Sequence, residues 1–430
     1  MTNTHASHLA ALPLRCATAG SVDDGKSTLI GRLLHDAKAL FADQLSQVAE
    51  ASKRRGHART DLALLTDGLR AEREQGITID VAWRYFATPH RRFVLADAPG
   101  HVQYTRNMVT AASVADIVII LVDARHGLLE QTRRHLFVSR LLGVRAIAVA
   151  INKMDQVGYD ERVFVDIQNK VRTYLGSLKA PGAAPSVSFF PISALVGDNV
   201  VERSVEMPWF DGPPLLTFLE TLTFDARKEA ARFAVQWVIR PQSSEHPDYR
   251  GYAGRVASGT FRVGQELVVW PSGRRTTLAR IETFGTSLEE AHAGQSVTLH
   301  LSDELDVSRG SVLSVAGESA PTVAQSLSVD LAWVNDQKGR VGGKYILKHM
   351  SREVRVILES IESRYDIDTG EKLAITPDDT KLLSANDLSS AKLRLSEPLA
   401  IDRYEELHAS GSFLLVDAAG GETLAGGMAR

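Results

Sequence analysis

The sequence predicts an α/β domain with a mostly parallel sheet and helices on both faces, followed by two all-β barrel domains. Three observations predict this fold. A glycine-rich loop joins an apolar run to a helical pattern near the N-terminus. Apolar runs then alternate with helical patterns to about residue 230, and short β-rich runs replace them afterwards. Strand–helix alternation is typical of parallel sheets, and regularly spaced short strands are typical of barrels or sandwiches.

The length and composition describe a soluble globular protein of several domains. A chain of 430 residues is too long to fold around one ordinary hydrophobic core, so two or three domains are expected. They are 44% hydrophobic and 23% charged, and the formal net charge is −3. That charge gives no overall attraction to nucleic acid or to anionic membranes, so neither is expected as a partner. We expect domains at residues 1–230, 231–320 and 321–430.

The single cysteine and the N-terminal residues predict a cytoplasmic protein. Cys16 lies in the apolar run before the glycine-rich loop, so a buried strand thiol is expected. One cysteine excludes an intramolecular disulfide and a cysteine-based zinc cluster, and it fits a reducing compartment. The N-terminus lacks the pattern of a signal peptide, and no apolar run approaches the roughly 18 residues that span a bilayer.

The elements of the first domain follow from periodicity. Three runs have the continuous apolar character of strands buried on both faces: RFVLADAPG (92–100), DIVIILVDA (116–124) and RAIAVAINKMD (145–155). Two segments between or after them have helical spacing: QTRRHLFVSRLLG (131–143) and FVDIQNKVRTYLGSL (164–178). This order predicts a doubly covered parallel sheet.

The pattern changes after the segment LLTFLETLTFDARKEA (215–230). Helical periodicity nearly disappears from Ala231 onward, and short runs such as QELVVW and SVTLHL are separated by Gly, Pro, Ser and Asn. SAPT (319–322) is the expected joint between two β-rich blocks, the second of which reaches SFLLVDA (412–418). Two barrel or sandwich domains are therefore predicted.

The glycine-rich loop GSVDDGKST has the pattern G-x-x-x-x-G-K-S and predicts a phosphate site. Its glycines let backbone N–H groups turn toward a phosphate, and the following helix adds its N-terminal dipole. Lys26 would bridge the β- and γ-phosphates and act in catalysis, and the Ser27 hydroxyl would ligate Mg²⁺. A chance glycine-rich turn is the alternative, which the strand before it and the helix after it disfavour. The predicted contacts of the loop are Gly20, Ser21, Val22, Asp23, Asp24, Gly25, Lys26, Ser27 and Thr28.

A second phosphate element, Asp97-Ala98-Pro99-Gly100, ends the next strand pattern. At this point of a phosphate-loop domain, a carboxylate such as Asp97 holds Mg²⁺ and a glycine N–H meets the γ-phosphate. An ordinary turn at the end of a strand is the alternative for this tetrapeptide taken alone.

The segment Asn152-Lys153-Met154-Asp155 decides the base. The Asp155 carboxylate can accept hydrogen bonds from guanine N1–H and the 2-amino group, whereas adenine offers neither donor. Asn152 can fix the loop and reach the purine, and the Lys153 stem can cover the ring. Ser193-Ala194-Leu195 follows the last strand, where the Ala194 N–H can donate to guanine O6. A solvated turn is the alternative for N-K-M-D alone, but the four elements in order predict GTP rather than ATP.

Together, GSVDDGKST, AEREQGITID, DAPGHVQYTRNM, NKMD and SAL resemble the translation-factor class of GTPases. Within that class, Asp24 and the run EREQGITIDVAWRYF resemble the GTPase subunit of bacterial heteromeric sulfate adenylyltransferase; the usual translation factors have His or Ala at the position of Asp24. GRVASGTFRVGQ (254–265), RVGGKYILKH (340–349) and EPLAIDRYEELHASGSFLLVD (397–417) extend the resemblance through the β-rich part. It implies a P-loop GTP-binding domain and two β-barrels.

The resemblance also implies residue roles. Thr78 would be a switch threonine that ligates Mg²⁺ with Ser27 and Asp97, and residues 36–77 would contain the first switch. The alternative for 36–77 is a helical insertion with a charged face. His101 would place the attacking water and is the second candidate catalytic residue.

The implied function is GTP hydrolysis that drives sulfate activation in a smaller, catalytic partner subunit, which converts ATP and sulfate to adenylyl sulfate and pyrophosphate. A heterodimer, or an assembly of several heterodimers, is implied. Residues 230–430 contain no second G-x-x-x-x-G-K-[ST], so no fused kinase domain is expected. The alternative functions are an elongation-factor-like GTPase that binds aminoacyl-tRNA, and a non-enzymatic scaffold with a vestigial site.

Overall fold

The structure is a computed structural model, and it describes residues 13–37, 81–99, 105–179, 184–224, 229–241, 249–367, 369–374 and 381–430. The chain divides into two compact units, Met1–Ala226 with Asp366–Glu371, and Arg227–Tyr365 with Lys372–Arg430. Thr78, Gly100 and His101, and nearly all of the predicted switch at 36–77, lie outside the described residues.

The first unit contains a six-stranded sheet in the order β2-β3-β1-β4-β5-β6. Its strands are β1 (Leu14–Ala19), β2 (Ala82–Ala87), β3 (Arg92–Asp97), β4 (Ile117–Asp123), β5 (Ala146–Asn152) and β6 (Ser186–Pro191). Its helices are α1 (Lys26–Asp36), α2 (Thr105–Ser113), α3 (Glu130–Leu141), α4 (Glu161–Ser177) and α5 (Leu215–Thr221). The neighbours from β3 through β6 pair in parallel, and β2 runs antiparallel to β3 at the edge.

The burial of this sheet explains its sequence. Every residue of β4 and β5 is buried, which accounts for their unbroken apolar runs. α1 and α5 pack on one face, in a cluster that includes Leu33 and Leu219. On the other face α2 contacts β1 and α3 contacts β4. Cys16 lies in β1 and is buried as predicted, and this burial raises the pKa of its thiol.

The second unit contains two closed barrels. The first has the order β10-β15-β7-β8-β14-β11 and is closed by β10 pairing with β11. The second has the order β18-β23-β24-β16-β22-β19 and is closed by β18 pairing with β19. The first set of strands is β7 (Arg232–Ile239), β8 (Gly251–Ser258), β9 (Thr260–Arg262), β10 (Glu266–Trp270), β11 (Arg274–Thr283), β12 (Thr286–Leu288), β13 (Glu290–His292), β14 (Ser296–Leu301) and β15 (Val312–Val315). The second set is β16 (Thr322–Trp333), β17 (Gly339–Arg340), β18 (Lys344–His349), β19 (Arg352–Tyr365), β20 (Lys372–Ala374), β21 (Leu382–Leu383), β22 (Leu388–Ile401), β23 (Ser412–Asp417) and β24 (Thr423–Ala429), with α6 at His408–Gly411.

A buried ion pair joins the two barrels within this unit. Arg232 of β7 is fully buried and binds Asp402, which follows β22, through two hydrogen bonds of 2.9 and 2.7 Å. Ser410 donates a further hydrogen bond to Asp402, and Arg232 also donates to the carbonyl of Ser319. A buried ion pair needs such additional hydrogen bonds, and these contacts join β7 of the first barrel to the segment after β22 of the second.

The predicted fold class, a mostly parallel α/β domain followed by two β-barrels, is confirmed. The domain boundaries at 230 and 320 stay predictions; β7 begins at Arg232 and β16 at Thr322. Among the helices within the described ranges, none is long and apolar enough to cross a membrane.

Candidate nucleotide site

The predicted site residues follow the carboxyl ends of neighbouring parallel strands. β1 leads into the glycine-rich loop, β3 ends at Asp97, β5 ends at Asn152, and Ser193 comes shortly after β6. The carboxyl ends of parallel strands meet at one edge of a sheet, where ligands bind in open α/β folds. The sheet therefore brings two segments to the same edge: the glycine-rich loop at residues 20–28, here called the phosphate loop, and the segment at residues 152–155, here called the base loop.

Gly25 needs to be glycine for two independent reasons. It precedes α1 with a left-handed φ of 91°, a conformation that favours glycine. A Cβ atom there would also lie 2.5 Å from the Asn152 side-chain nitrogen. The phosphate loop and the base loop thus touch at this residue, and a side chain would force them apart.

Lys26 lies folded over the loop that precedes it. Its Nζ donates to the carbonyls of Gly20 at 2.8 Å and Ser21 at 2.9 Å, and the residue is buried. Burial lowers the pKa of Lys26, and the charges of Asp97 and Asp24 oppose that effect. The ammonium group therefore lies against the glycine-rich loop, with two carboxylates in its surroundings.

Asp24 places a carboxylate inside the phosphate loop. It is buried, and its Oδ2 accepts a 2.6 Å hydrogen bond from the Ser21 amide. Burial raises the pKa of Asp24, whereas this bond and the charge of Lys26 act in the opposite direction. The backbone amide of Ser21 is therefore bonded within the loop itself. The sequence did not predict this contact.

Asp97 and Ser27 are the described members of the predicted metal set. Asp97 is buried at the end of β3, where the Thr18 hydroxyl donates to its Oδ1 at 3.1 Å. Ser27 lies in the first turn of α1, directly after Lys26. A carboxylate and a hydroxyl are hard oxygen donors, as Mg²⁺ prefers, so these residues fit the metal. Ala98 and Pro99 continue the buried segment after Asp97.

Asn152 connects three loops. Its side-chain nitrogen donates to the Asp24 carbonyl at 2.7 Å, and its side-chain oxygen accepts the Ala194 amide at 2.9 Å. The side chain is buried and both of its polar ends are paired. It thereby ties the phosphate loop to both segments that are predicted to contact the base.

The backbone N–H of Ala194, which is predicted to donate to guanine O6, already makes a hydrogen bond within the protein. Because its N–H already donates to Asn152, it reaches guanine O6 only as a shared donor. Ser193 is fully buried and its hydroxyl accepts the Val196 amide at 3.3 Å, while Leu195 is 53% exposed. The carbonyls of Ala194 and Leu195 accept hydrogen bonds from Arg32 of α1 at 3.3 and 2.7 Å.

Lys153 is held at both ends of its side chain. Its backbone has a left-handed φ of 65°, and its Nζ lies 2.9 Å from the Asp123 carboxylate. The same Nζ also donates to the Asp23 carbonyl. The aliphatic stem is therefore fixed across the loop, as covering a purine ring would require.

Asp155 is positioned by a short 3₁₀ helix at Met154–Val157. Met154 is fully buried and anchors this turn, and its amide donates to the Ile192 carbonyl. The half-buried Asp155 carboxylate accepts from the Gln156 side chain at 2.9 Å. Its position beside Asn152 and Lys153 supports the predicted contact with guanine.

Comparisons with known proteins agree with this geometry. Residues 13–227 match the family described as the elongation factor Tu GTP binding domain, residues 252–314 match elongation factor Tu domain 2, and residues 326–430 match a GTP-eEF1A C-terminal domain-like family. "Sulfate adenylyltransferase subunit 1" of Citrobacter koseri is 47% identical over 97% of this chain and 86% of its own length. The chain belongs to the sulfate adenylyltransferase subunit 1 family.

Two further comparisons describe the extent of this similarity. "Bifunctional enzyme CysN/CysC" of Mycobacterium tuberculosis is 48% identical over 96% of this chain and 67% of its own length. A solved structure of sup35 complexed with GDP covers 97% of the chain at 22% identity and a TM-score of 0.43, a score too low to bear on function. In this chain, all of the predicted nucleotide motifs lie in residues 13–227, the part that matches the elongation factor Tu GTP binding domain.

Sequence reasoning missed three residues at the predicted site, each part of a contact network with its residues: Arg32, Asp123 and Arg125. Asp123 is buried at the end of β4, and Arg125 binds it through its backbone and side chain at 2.7–3.3 Å. Burial raises the pKa of Asp123, but the hydrogen bonds from Arg125 and Lys153 outweigh it and hold the pKa well below its usual range. The available signal was position: Asp123 ends a parallel strand between two strands that carry site residues.

Replacing Asp123 with asparagine is expected to weaken GTP binding about tenfold, since Lys153 and Arg125 lose their shared carboxylate. The free energy of unfolding should fall by about 2 kcal/mol at neutral pH, the size of a lost hydrogen bond to a charged group. Calorimetric titration with GTP and denaturant unfolding measure the two effects.

Asp116→Asn is the matched control, because Asp116 precedes the same strand and pairs with the half-exposed Arg15. The Asp116→Asn change should lower the free energy of unfolding by less than about 1 kcal/mol and leave GTP affinity unchanged. Equal losses of GTP affinity in the two variants would show that Asp123 has no special role.

Proposed function

We propose that this chain is the GTP-hydrolysing, energy-coupling subunit of a sulfate adenylyltransferase. Its smaller partner subunit joins ATP and sulfate into adenylyl sulfate and pyrophosphate. The observation that carries the proposal is membership of the sulfate adenylyltransferase subunit 1 family along nearly the whole chain. The contacts of Lys26 with the glycine-rich loop, and of Asn152 with Asp24 and Ala194, support a competent nucleotide site.

The residues of the site have distinct roles in this proposal. Lys26 binds the phosphates and neutralises charge that develops on them, while Asn152 and Lys153 hold the loops against each other. Asp155 reads the guanine edge. His101, which follows the D-A-P-G segment, would orient the attacking water in this proposal.

Magnesium would be held by Ser27 and Asp97 together with the nucleotide phosphates and, from the motif, Thr78. Within the described ranges, no group of three acidic, histidine or cysteine residues could hold a metal by itself. This fits an ion that shares its coordination with the nucleotide. Bound there, Mg²⁺ would neutralise charge on the β- and γ-phosphates.

The coupling follows from thermodynamics. Adenylyl sulfate contains a phosphosulfate anhydride, so its formation from ATP and sulfate is strongly uphill. A protein that binds GTP and GDP in different conformations can shift a partner's equilibrium only through the partner's different affinity for those conformations. Hydrolysis must therefore wait for the partner's step. We place the complex in the cytoplasm, in keeping with the single buried cysteine.

Mixing this chain with the smaller adenylyltransferase of the same organism should produce coupled GTP cleavage and adenylyl sulfate formation. Alone, the chain should hydrolyse GTP at about 10⁻⁴ to 10⁻² s⁻¹, as unassisted phosphate-loop GTPases do. The partner should raise this rate only when ATP and sulfate are both present. GTP cleavage and adenylyl sulfate formation are followed in one reaction. A reaction without sulfate is the control.

Two results would contradict the proposal. One is GTP cleavage that the adenylyltransferase, ATP and sulfate leave unchanged. The other is stimulation by ribosomes or aminoacyl-tRNA instead, which would favour the elongation-factor-like function.

A further inference from the structure

A carboxylate lies inside the loop that is predicted to bind phosphates. Asp24 is 3% exposed, and its Oδ2 atom accepts the Ser21 amide at 2.6 Å. A hydrogen bond this short is typical of a charged acceptor. The same oxygen lies 3.2 Å from the position that a Cβ atom on Gly20 would take, so glycine leaves room for the carboxylate. The phosphate loop therefore encloses a negative charge of its own.

Two further buried carboxylates at this edge of the sheet have partners or roles that account for their charge. Asp123 is bonded to Lys153 and Arg125. Asp97 is proposed to hold Mg²⁺. Asp24 is instead bonded to a neutral amide, which orients the carboxylate but does not cancel its charge. That charge is left to act on the groups around it.

Lys26 lies within the range of this charge. Burial lowers the pKa of Lys26, whereas the charges of Asp97 and Asp24 raise it, and the Lys26 charge lowers the pKa of Asp24 in return. The ammonium and carboxylate groups are therefore close enough to interact. Phosphate oxygens bound by Lys26 would be close to the same carboxylate, because water screens charges weakly inside a buried loop. Asp24 would then repel the anion that Lys26 attracts.

The hydrogen bond to Ser21 allows a second role for Asp24, that of a brace which only holds the loop in shape. The two roles predict opposite results when the side chain is changed. Loss of a brace loosens the loop and weakens nucleotide binding. Neutralising a repulsive charge strengthens nucleotide binding, so the sign of the effect distinguishes the two roles.

We infer that Asp24 sets the nucleotide affinity of this site, as a built-in repulsive charge that weakens the binding of guanine nucleotides and speeds the release of GDP. This inference rests on the proposed function. A subunit that hydrolyses GTP to drive its partner has to release GDP in every cycle, and weaker binding serves that release. Asp24 is a positioning residue in this account, because it acts on the phosphates across the loop and through Lys26.

Asp24→Asn tests the inference. Asparagine keeps the size of the side chain and an oxygen that can accept the Ser21 amide, while it removes the charge. Bound fluorescent GDP, chased with excess GDP, should leave the full chain about tenfold more slowly, and the dissociation constants of GDP and GTP should fall by about the same factor. The assay is run at pH 8, because burial raises the pKa of Asp24.

Asp24→Ala separates the charge from the hydrogen bond, because it removes both. If the charge weakens binding, the alanine variant should also bind GDP more tightly than the unmodified chain. It should bind GDP less tightly than Asp24→Asn, since the Ser21 amide has lost its acceptor. Where asparagine prevents folding, the alanine variant decides alone.

Asp160→Asn is the matched control, since it removes one negative charge from the exposed cap of α4 in the same unit. Its GDP release should stay within about twofold of the unmodified chain, because water and salt screen an exposed charge. Repeating the measurement in EDTA provides a second control. A direct charge effect of Asp24 persists without Mg²⁺, whereas an effect that acts through the metal disappears. Thermal unfolding of each variant reports on the fold.

Each contrary outcome points to a different error. Unchanged or faster GDP release from a folded Asp24→Asn variant would overturn the inference and leave the proposed function standing, as would an effect that EDTA removes. Slower release from Asp24→Asn but faster release from Asp24→Ala would assign the gain to the new amide and also overturn the inference. Failure of the unmodified chain to bind GDP and GTP would overturn the proposed function itself.

Discussion

Lys26→Ala is expected to abolish tight GTP binding. In the structure the Lys26 Nζ donates to the Gly20 and Ser21 carbonyls at 2.8 and 2.9 Å. With GTP present, these bonds give way to stronger bonds from the ammonium group to phosphate oxygens. Two charge-assisted hydrogen bonds at about 1.5 kcal/mol each give a loss of roughly a hundredfold in affinity. Calorimetric titration with GTP measures it.

Lys170→Ala is the control for this variant, since Lys170 is an exposed lysine of α4 paired with Asp166. Its removal should leave GTP affinity unchanged. His101→Ala provides a second comparison, because His101 is proposed to act on the attacking water. That change should slow hydrolysis and spare binding. A loss of affinity as large for His101→Ala as for Lys26→Ala would contradict the division of roles.

The second large effect is expected from Asp155→Asn, which should reduce GTP affinity about a hundredfold and improve binding of xanthosine triphosphate. Two hydrogen bonds to guanine N1–H and the 2-amino group are replaced by one acceptor and one donor. Xanthine offers an oxygen where guanine offers the amino group, so the amide suits it. Competition against labelled GTP by GTP, ATP and xanthosine triphosphate gives the three affinities.

The control for this change is Asp160→Asn, five residues along the same segment. Asp160 caps α4 by accepting the Arg162 amide at 2.8 Å, a role that asparagine fulfils nearly as well. Its nucleotide preference should match the unmodified chain. Equal displacement of GTP by ATP from both the original chain and Asp155→Asn would show that this segment does not read the base.

The phosphate loop illustrates how a local pattern predicts local chemistry. G-x-x-x-x-G-K-S specifies the positive φ of Gly25, the start of α1 at Lys26 and the cation beside the loop, because all three depend on adjacent residues. Asp24 is different. Its side chain bonds to the Ser21 amide inside the loop, a choice between neighbouring donors that the order of residues leaves open.

The base loop shows where long-range contacts enter. The order of the motifs predicts that Asn152 and Ala194 lie at neighbouring strand ends. Their direct hydrogen bond, however, depends on how β5 and β6 are aligned along each other. That bond limits the role predicted for the Ala194 amide. Arg32 supports the same segment from α1, and its separation from Leu195 by more than 160 residues leaves no local pattern to find.

The sequence by itself determined the order of strands and helices, the change to barrels near residue 230, and the loops that are predicted to hold GTP, because each rests on periodicity or on contiguous residues. Only the tertiary structure decided that Asp123 supports Lys153 and that AWRYFA forms the outermost of the described strands in the first sheet. An alternating aromatic strand has the same sequence in the middle of a sheet and at its edge. Its exposure is set by which strands and helices cover it, and those come from distant parts of the chain.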